Sequence, residues 1–223
     1  LQDSVIHYRI LRTFGLGESK METVLLPLID EQTDPTIATY AKEGECSLRI
    51  ASKRATLQEA KKAVDDMSQR VMDIIGEYVY SQDNEDLKDV GGRLLISKNI
   101  TVSCAESGTG GLFAGTLTDI PGISCVFDRG IVTYSNKAKM EELGVKEDTL
   151  ETFGAVSSQT AAEMAQGLAE KTGSDLCISV TGIAGPDGGS LQKPVGTAYV
   201  GIRWKGNTEI IKIQRRNVNR KWN

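Results

Sequence analysis

The chain has 223 residues, with 26 Lys and Arg against 30 Asp and Glu, for a formal net charge of -4. That balance argues against broad nucleic-acid binding, which depends on neutralising phosphates. A hydrophobic content of 39% and a charged content of 25% describe a globular chain long enough for one large or two modest domains.

The first third reads as a small α+β unit. Residues 5–11 form a β-like run, Gly15 to Ser19 a turn, and Ser19 is the expected cap of a helix bearing Met21, Val24, Leu25 and Leu28. Segments 36–40 and 46–51 read as a hairpin joined across Lys42-Glu43-Gly44-Glu45, with Cys46, Leu48 and Ile50 on the buried face. Thr56-Leu57-Gln58-Glu59 has the form of a capping box. The long helix it opens is expected to bury Ala60, Ala63, Met67, Val71 and Ile74, and residues 78–80 read as a last strand.

The polar stretch 81–86 marks a boundary, which divides the chain into residues 1–81 and 82–223. Beyond it helices and strands alternate: a helix over 87–98, a strand from Ile100, a glycine turn, and a helix from Leu112. A strand over 127–134, a helix over 136–143 and a helix capped at Ser157 or Ser158 and ended by Gly173 follow. Strands over 176–181, 195–204 and 209–214 complete an α/β sandwich with a mixed sheet. The chain then runs into basic residues Arg215, Arg216, Arg220 and Lys221.

Four cysteines, Cys46, Cys104, Cys125 and Cys177, lie in apolar stretches with no C-x-x-C pair, which fits buried free thiols in a reducing compartment. With one histidine, His7, the chain has no zinc pattern. No apolar run approaches membrane-spanning length, and no signal-peptide pattern opens the chain, which begins at Leu1.

The chemistry concentrates in Ala105-Glu106-Ser107-Gly108-Thr109-Gly110-Gly111, a strand-to-helix glycine turn. Ser107 reads either as a nucleophile, with the N–H groups of Thr109, Gly110 and Gly111 facing an oxyanion, or as a cap of the next helix. A P-loop pattern is absent. Imidazole is scarce, so a serine nucleophile here needs another base. Thr133-Tyr134-Ser135-Asn136-Lys137-Ala138-Lys139 supplies one if Ser135 caps its helix. Lys139 would then sit near a helix N-terminus, where the dipole and burial both favour a neutral amine, with Glu141 and Glu142 opposing. The alternative is a surface lysine. Tyr134 is either a partner of the pair or a core aromatic. The loop Thr181 to Gly189 is either part of the same crevice or a plain surface turn.

Those three blocks, with Gly154-Ala155-Val156-Ser157 and Lys193-Pro194-Val195-Gly196-Thr197, occur together and in order. In this the chain resembles the CinA family (competence/damage-inducible protein A), specifically its C-terminal nicotinamide mononucleotide deamidase domain. Residues 11–19 and 35–42 resemble the family's KH-like middle domain. The family's N-terminal domain and terminal helix would lie outside residues 1–223.

The resemblance implies hydrolysis of the nicotinamide mononucleotide carboxamide to nicotinate mononucleotide and ammonia, a step of pyridine nucleotide salvage that needs no metal or cofactor. It assigns catalysis to Ser107, Lys139 and Tyr134. It sets Glu106, Thr109, Gly110, Gly111, Asn136, Thr181, Gly182 and Gly185 at the substrate. Gly108 stands where the family commonly has cysteine and is expected to loosen the backbone there. Lys137 either depresses Lys139 further or is solvated. A cytoplasmic enzyme acting on a small molecule is expected, with no membrane partner. A homodimer and a recombination-protein partner stay open. Nucleic acid is not expected, because Gly15-Leu16-Gly17-Glu18 carries an acid where a KH loop is basic. The competing reading is a non-catalytic interaction module in competence or DNA repair.

Overall fold

A computed structural model of the protein describes residues 4–42 and 44–214. Glu43 of the expected hairpin turn and the basic stretch from Arg215 lie outside the described residues. The chain divides into two compact units between Val90 and Gly91.

In the first unit, β1 (Val5–Phe14), β2 (Thr36–Lys42), β3 (Glu45–Arg54) and β4 (Val79–Ser81) form a sheet in the order β2-β3-β1-β4, antiparallel throughout. Cys46, Leu48, Ile50 and Ser52 alternate into the core along β3, as a sheet with one covered face requires. Helices α1 (Glu18–Asp30) and α2 (Leu57–Ile75) supply that cover. The Thr56 side chain accepts the Glu59 N–H at 3.2 Å, while the Glu59 carboxylate accepts the Thr56 N–H at 3.1 Å. This reciprocal pair is the expected capping box.

Two expectations shift by a residue or two. The cap of α1 is Gly17, and Ser19 lies within the helix, where its carbonyl accepts the Thr23 hydroxyl. The buried stripe of α2 is Ala60, Val64, Met67, Val71 and Ile75, so Val64 and Ile75 replace Ala63 and Ile74. Steps of three and four keep one face on the sheet, and bulkier side chains at those positions fill it better.

The second unit is built on β5 (Val102–Glu106), β6 (Phe127–Val132), β7 (Leu176–Gly182), β8 (Thr197–Trp204) and β9 (Asn207–Gln214), in the order β6-β5-β7-β8-β9. β5 runs parallel to β6 and β7, whereas β8 and β9 are antiparallel, so the sheet is mixed. Helix α3 (Leu87–Ser97) runs across the division between the units.

Two apolar clusters cover opposite faces of the sheet. One gathers Ala105 and Cys177 with Leu143, Met164 and Leu168, from α5 (Asn136–Leu143) and α7 (Ser158–Thr172). The other gathers Val102, Leu117, Ile120 and Val126 around α4 (Leu112–Thr118). Ser157 caps α7 by accepting the Thr160 N–H at 3.1 Å, and Gly173 ends it in a left-handed conformation.

Helix α6 (Glu147–Phe153) is an addition to the expected elements, because seven mostly polar residues carry too little periodicity to announce a helix. It is held by Glu163 of α7, whose carboxylate accepts the Thr149 hydroxyl at 2.7 Å and the Lys146 N–H at 2.8 Å. Cys46, Cys104 and Cys177 are buried free thiols, but Cys125 is exposed. It closes a 3-10 turn over residues 123–125 rather than a strand, which leaves its side chain outside the core.

Candidate active site

Ser107 is the first residue beyond β5. Its N–H donates to the Val180 carbonyl at 2.9 Å, and its carbonyl accepts the Gly110 N–H at 3.0 Å. Gly110 and Gly111, with φ of 63° and 98°, then turn the chain into α4 through left-handed backbone that side chains disfavour. Gly111, not Ser107, is the cap residue of α4, and no side chain caps that helix from the cap position. The serine is therefore not a helix cap.

Lys139 reaches this loop from α5. Ser135 caps α5, its hydroxyl oxygen accepting the Ala138 N–H at 3.0 Å, which places Lys139 at the end of the first turn. The Lys139 side chain is fully buried. Its Nζ lies 3.0 Å from Ser107 Oγ, 2.8 Å from the Thr133 carbonyl oxygen and 3.3 Å from that of Tyr134. Burial pushes the amine below its ordinary value of 10.5.

No carboxylate pairs with Lys139 among the described residues. Glu141 pairs instead with Lys137 at 3.6 Å, and Glu142 with Lys171. The expected opposition from the two glutamates therefore goes elsewhere, and Lys137 is a solvated surface lysine. A neutral amine has two N–H groups and one lone pair. Carbonyl oxygens only accept, so the two N–H groups go to Thr133 and Tyr134. In that state the lone pair faces the Ser107 hydroxyl, whereas an ammonium donates to all three oxygens.

A cavity of about 270 Å³ opens over the pair. It is lined by Ser107, Gly108, Tyr134 and Lys139, by Ala155 and Val156, and by residues of the stretch from Gly182 to Gly188. Gly182 and Gly185 thus line it as expected. Tyr134 is 62% exposed, which excludes a core aromatic. Tyr134 lines the cavity, and its carbonyl serves Lys139.

Other expected substrate residues lie elsewhere. Glu106 is 1% exposed, and its carboxylate accepts the N–H groups of Gly111, Phe113 and Ala114, so it is turned under the loop rather than into the cavity. The Gly111 N–H is thus taken by Glu106, and that of Gly110 by the Ser107 carbonyl. The N–H groups of Gly108 and Thr109 carry no described hydrogen bond, and they are the loop donors left for an oxyanion. The Thr109 side chain belongs to a separate apolar cavity of about 340 Å³ beside Leu112, Phe113 and Val180. Asn136 is exposed at the start of α5 and does not line the Ser107 cavity. Thr181 is buried and donates its hydroxyl to the Ala155 carbonyl at 2.7 Å, bracing that lining residue.

A sequence model of the CinA C-terminal domain matches residues 84–223, and one of the damage-inducible protein CinA KH domain matches residues 8–81. The chain belongs to the CinA family.

A competence-damage inducible protein of Clostridium novyi is 50% identical over 208 residues, which are 93% of this chain and 50% of that relative. One from Caldicellulosiruptor bescii is 51% identical over 209 residues, 94% of this chain and 51% of that relative. This CinA chain thus spans about half the length of the curated relatives it matches. A crystal structure of a competence/damage-inducible protein from Agrobacterium tumefaciens is 44% identical with a TM-score of 0.58, over 61% of this chain and 86% of that one. A CinA superfamily protein from Escherichia coli is 33% identical with a TM-score of 0.58, over 61% and 79% of the two chains.

Three features of the site take on their role only in the structure. The Thr133 and Tyr134 carbonyls that hold Lys139 are backbone groups, with no residue signature. The Ala155 and Val156 lining looks like ordinary apolar sequence. The third is Gly108. Its backbone is not left-handed. It matters by close approach, since a Cβ there would lie 2.8 Å from the Gly182 carbonyl oxygen. Among the described residues of this CinA chain no helix is long and apolar enough to cross a membrane, and no cluster of three or more His, Cys, Asp or Glu could hold a metal ion.

Proposed function

We propose that this CinA chain is an amidase of the Ser–Lys type, with nicotinamide mononucleotide as substrate and nicotinate mononucleotide and ammonia as products. The observation that carries the reading is the buried Lys139 amine, without a carboxylate partner, 3.0 Å from Ser107 Oγ where both line a cavity.

The neutral amine takes the hydroxyl proton as Ser107 Oγ bonds to the carboxamide carbon. The carbonyl oxygen becomes an oxyanion, and the Gly108 and Thr109 N–H groups are the donors available to it. The Lys139 ammonium then gives its proton to the amide nitrogen, the C–N bond breaks, and ammonia leaves. An ester on Ser107 remains. Water attacks that ester, Lys139 receives the proton of the water, and Ser107 regains it as the carboxylic acid departs. One water is consumed and one ammonia released. Each proton passes between Ser107, Lys139, substrate and water, and the scheme calls on no metal or cofactor.

Ala155 and Val156 offer apolar surface to an aromatic ring, and the Gly182–Gly188 stretch brings backbone close to it. The test is ammonia release from nicotinamide mononucleotide by the chain and by its Ser107→Ala and Lys139→Ala variants. Turnover by the parent and a loss of about 1000-fold or more in both variants is expected. Full activity in either variant removes the assignment.

A further inference from the structure

One buried ionisable group at the serine loop has no part in that scheme. Glu106 directly precedes Ser107 and is 1% exposed. Ala105 packs beneath α7, so strand alternation sends Glu106 to the opposite face, under α4. There its Oε2 accepts the Gly111 and Phe113 N–H groups at 3.1 Å each, and its Oε1 accepts the Ala114 N–H at 2.8 Å. The Cys104 thiol, pushed up to about 12 chiefly by burial and then by the Glu106 charge, stays protonated and donates its S–H to Oε1 at 3.9 Å.

Among the described residues, every hydrogen-bond partner of the carboxylate is thus a donor. An ionised carboxylate accepts at both oxygens and donates at neither, which suits this pocket. A glutamine amide would turn an N–H toward other N–H groups. The three backbone bonds also supply what α4 lacks, since its own cap residue, Gly111, has no side chain.

They tie the start of α4 to the end of β5 and close the five-residue loop 107–111 from below. At the other end, the Glu106 carbonyl accepts the Thr133 N–H at 2.8 Å, next to the carbonyl that holds Lys139. One residue therefore links the serine loop and the strand end that presents the base.

We propose that Glu106 is a positioning residue: its buried carboxylate holds the 107–111 loop so that Ser107 Oγ meets the Lys139 amine, without touching substrate. This rests on Ser107 being the nucleophile. A cap that only stabilised the fold would predict a lower melting temperature and nothing more.

The experiment compares wild type, Glu106→Gln, Glu106→Asp and Met164→Ala, the last a core substitution under α7 that touches none of the Glu106 hydrogen bonds. Each is reacted with a fluorophosphonate probe, which forms an Oγ–phosphorus bond and expels fluoride, and the adduct is followed by intact mass. Ammonia release and thermal melting are measured alongside. For Glu106→Gln we expect labelling rate and kcat to fall together by ~100-fold, as misplacing a reacting atom by about 1 Å does. KM should stay within about threefold, because no substrate contact is lost. Glu106→Asp, which keeps the charge, should recover part of the rate. Met164→Ala should melt lower yet label at the wild-type rate.

Wild-type labelling by a folded Glu106→Gln protein overturns the proposal. So does an equal loss of rate in Met164→Ala. If the glutamine variant does not fold, wild-type labelling by a destabilised Glu106→Asp protein overturns it in the same way. Wild-type protein that labels but releases no ammonia removes the proposed substrate, and the positioning role is then decided by the labelling rates alone. Wild-type protein that does neither removes the Ser–Lys reading and the positioning role with it.

Discussion

The Nζ of Lys139 lies 2.8 Å from the Thr133 carbonyl oxygen, slightly closer than to the Ser107 hydroxyl it would deprotonate. The amine is held by the backbone of the loop that precedes its own helix, so its orientation does not depend on the serine. Its N–H groups donate to the two carbonyl oxygens, which sets the direction of the lone pair when the amine is neutral, and no carboxylate among the described residues pairs with the charged form.

This sets the pH dependence. The amine is active when neutral, and burial has lowered its pKa from 10.5, so activity should rise with pH through the folded-state value. The stability effect has the same sign. Between the lowered folded value and 10.5 the unfolded chain binds a proton that the folded chain does not, and stability rises with pH across that window. Below the window both states are protonated and the slope vanishes. Lys139→Met should abolish activity and remove this part of the slope, read from denaturant unfolding at a series of alkaline pH values. An unchanged slope would mean that the amine is not desolvated.

The position of α5 depends on a contact far from the chemistry. A Cβ on Gly167 of α7 would fall 1.7 Å from the Leu143 carbonyl oxygen at the end of α5. Backbone meets backbone there, so a methyl group must push the two helices apart. Gly167→Ala is expected to destabilise the protein by about 1–3 kcal/mol through overpacking. It should also lower kcat by at least about tenfold as Lys139 withdraws from Ser107. Unfolding and turnover measured together check this, and normal turnover in a destabilised variant would show that the end of α5 yields without moving Lys139.

Thr56→Ala separates the two units. It removes the side-chain half of the capping box of α2, at a cost of about 1 kcal/mol. Chemical denaturation should report that loss through the first unit. Ammonia release should be unchanged, since every residue of the Ser107 cavity lies in the second unit.

Much of this architecture was readable from residue pattern alone. The capping box at Thr56, the cap at Ser135 and the mixed sheet follow from spacings of two, three and four residues and from the side-chain chemistry of helix ends. Ser107 and Lys139 stood out because a glycine turn and a capped helix each offer one reactive group. Backbone partners were not readable. The carbonyls that aim Lys139 and the N–H groups that engage Glu106 have no residue code. The resemblance set Glu106 at the substrate. Strand alternation instead turned it inward, where helix N–H groups satisfy its charge. Gly110 and Gly111 read as oxyanion donors because a glycine turn presents free N–H groups, but the Ser107 carbonyl and the Glu106 carboxylate occupy them.

Gly108 gives the sharpest remaining test of the site. Its backbone passes so near the Gly182 turn that a Cβ would lie 2.8 Å from the Gly182 carbonyl oxygen and 3.4 Å from the carbonyl carbon. Neither atom can rotate away as a side chain could. Gly182 is itself confined, since a Cβ on it would meet the Ala198 Cβ at 2.8 Å. A residue with a side chain at 108, including the cysteine common in the family, must therefore separate the serine loop from the Gly182 turn by a few tenths of an ångström. In this chain Gly108→Ala is expected to cost about 1–3 kcal/mol of stability. The widened cavity should hold the substrate ring less closely, so KM should rise more than kcat falls. Gly108→Cys should behave like the alanine variant, because the strain arises at Cβ and not at the thiol. Steady-state kinetics with melting curves on both variants check the argument. A cysteine variant as active as wild type, beside a weakened alanine variant, would show that the thiol itself contributes at this position.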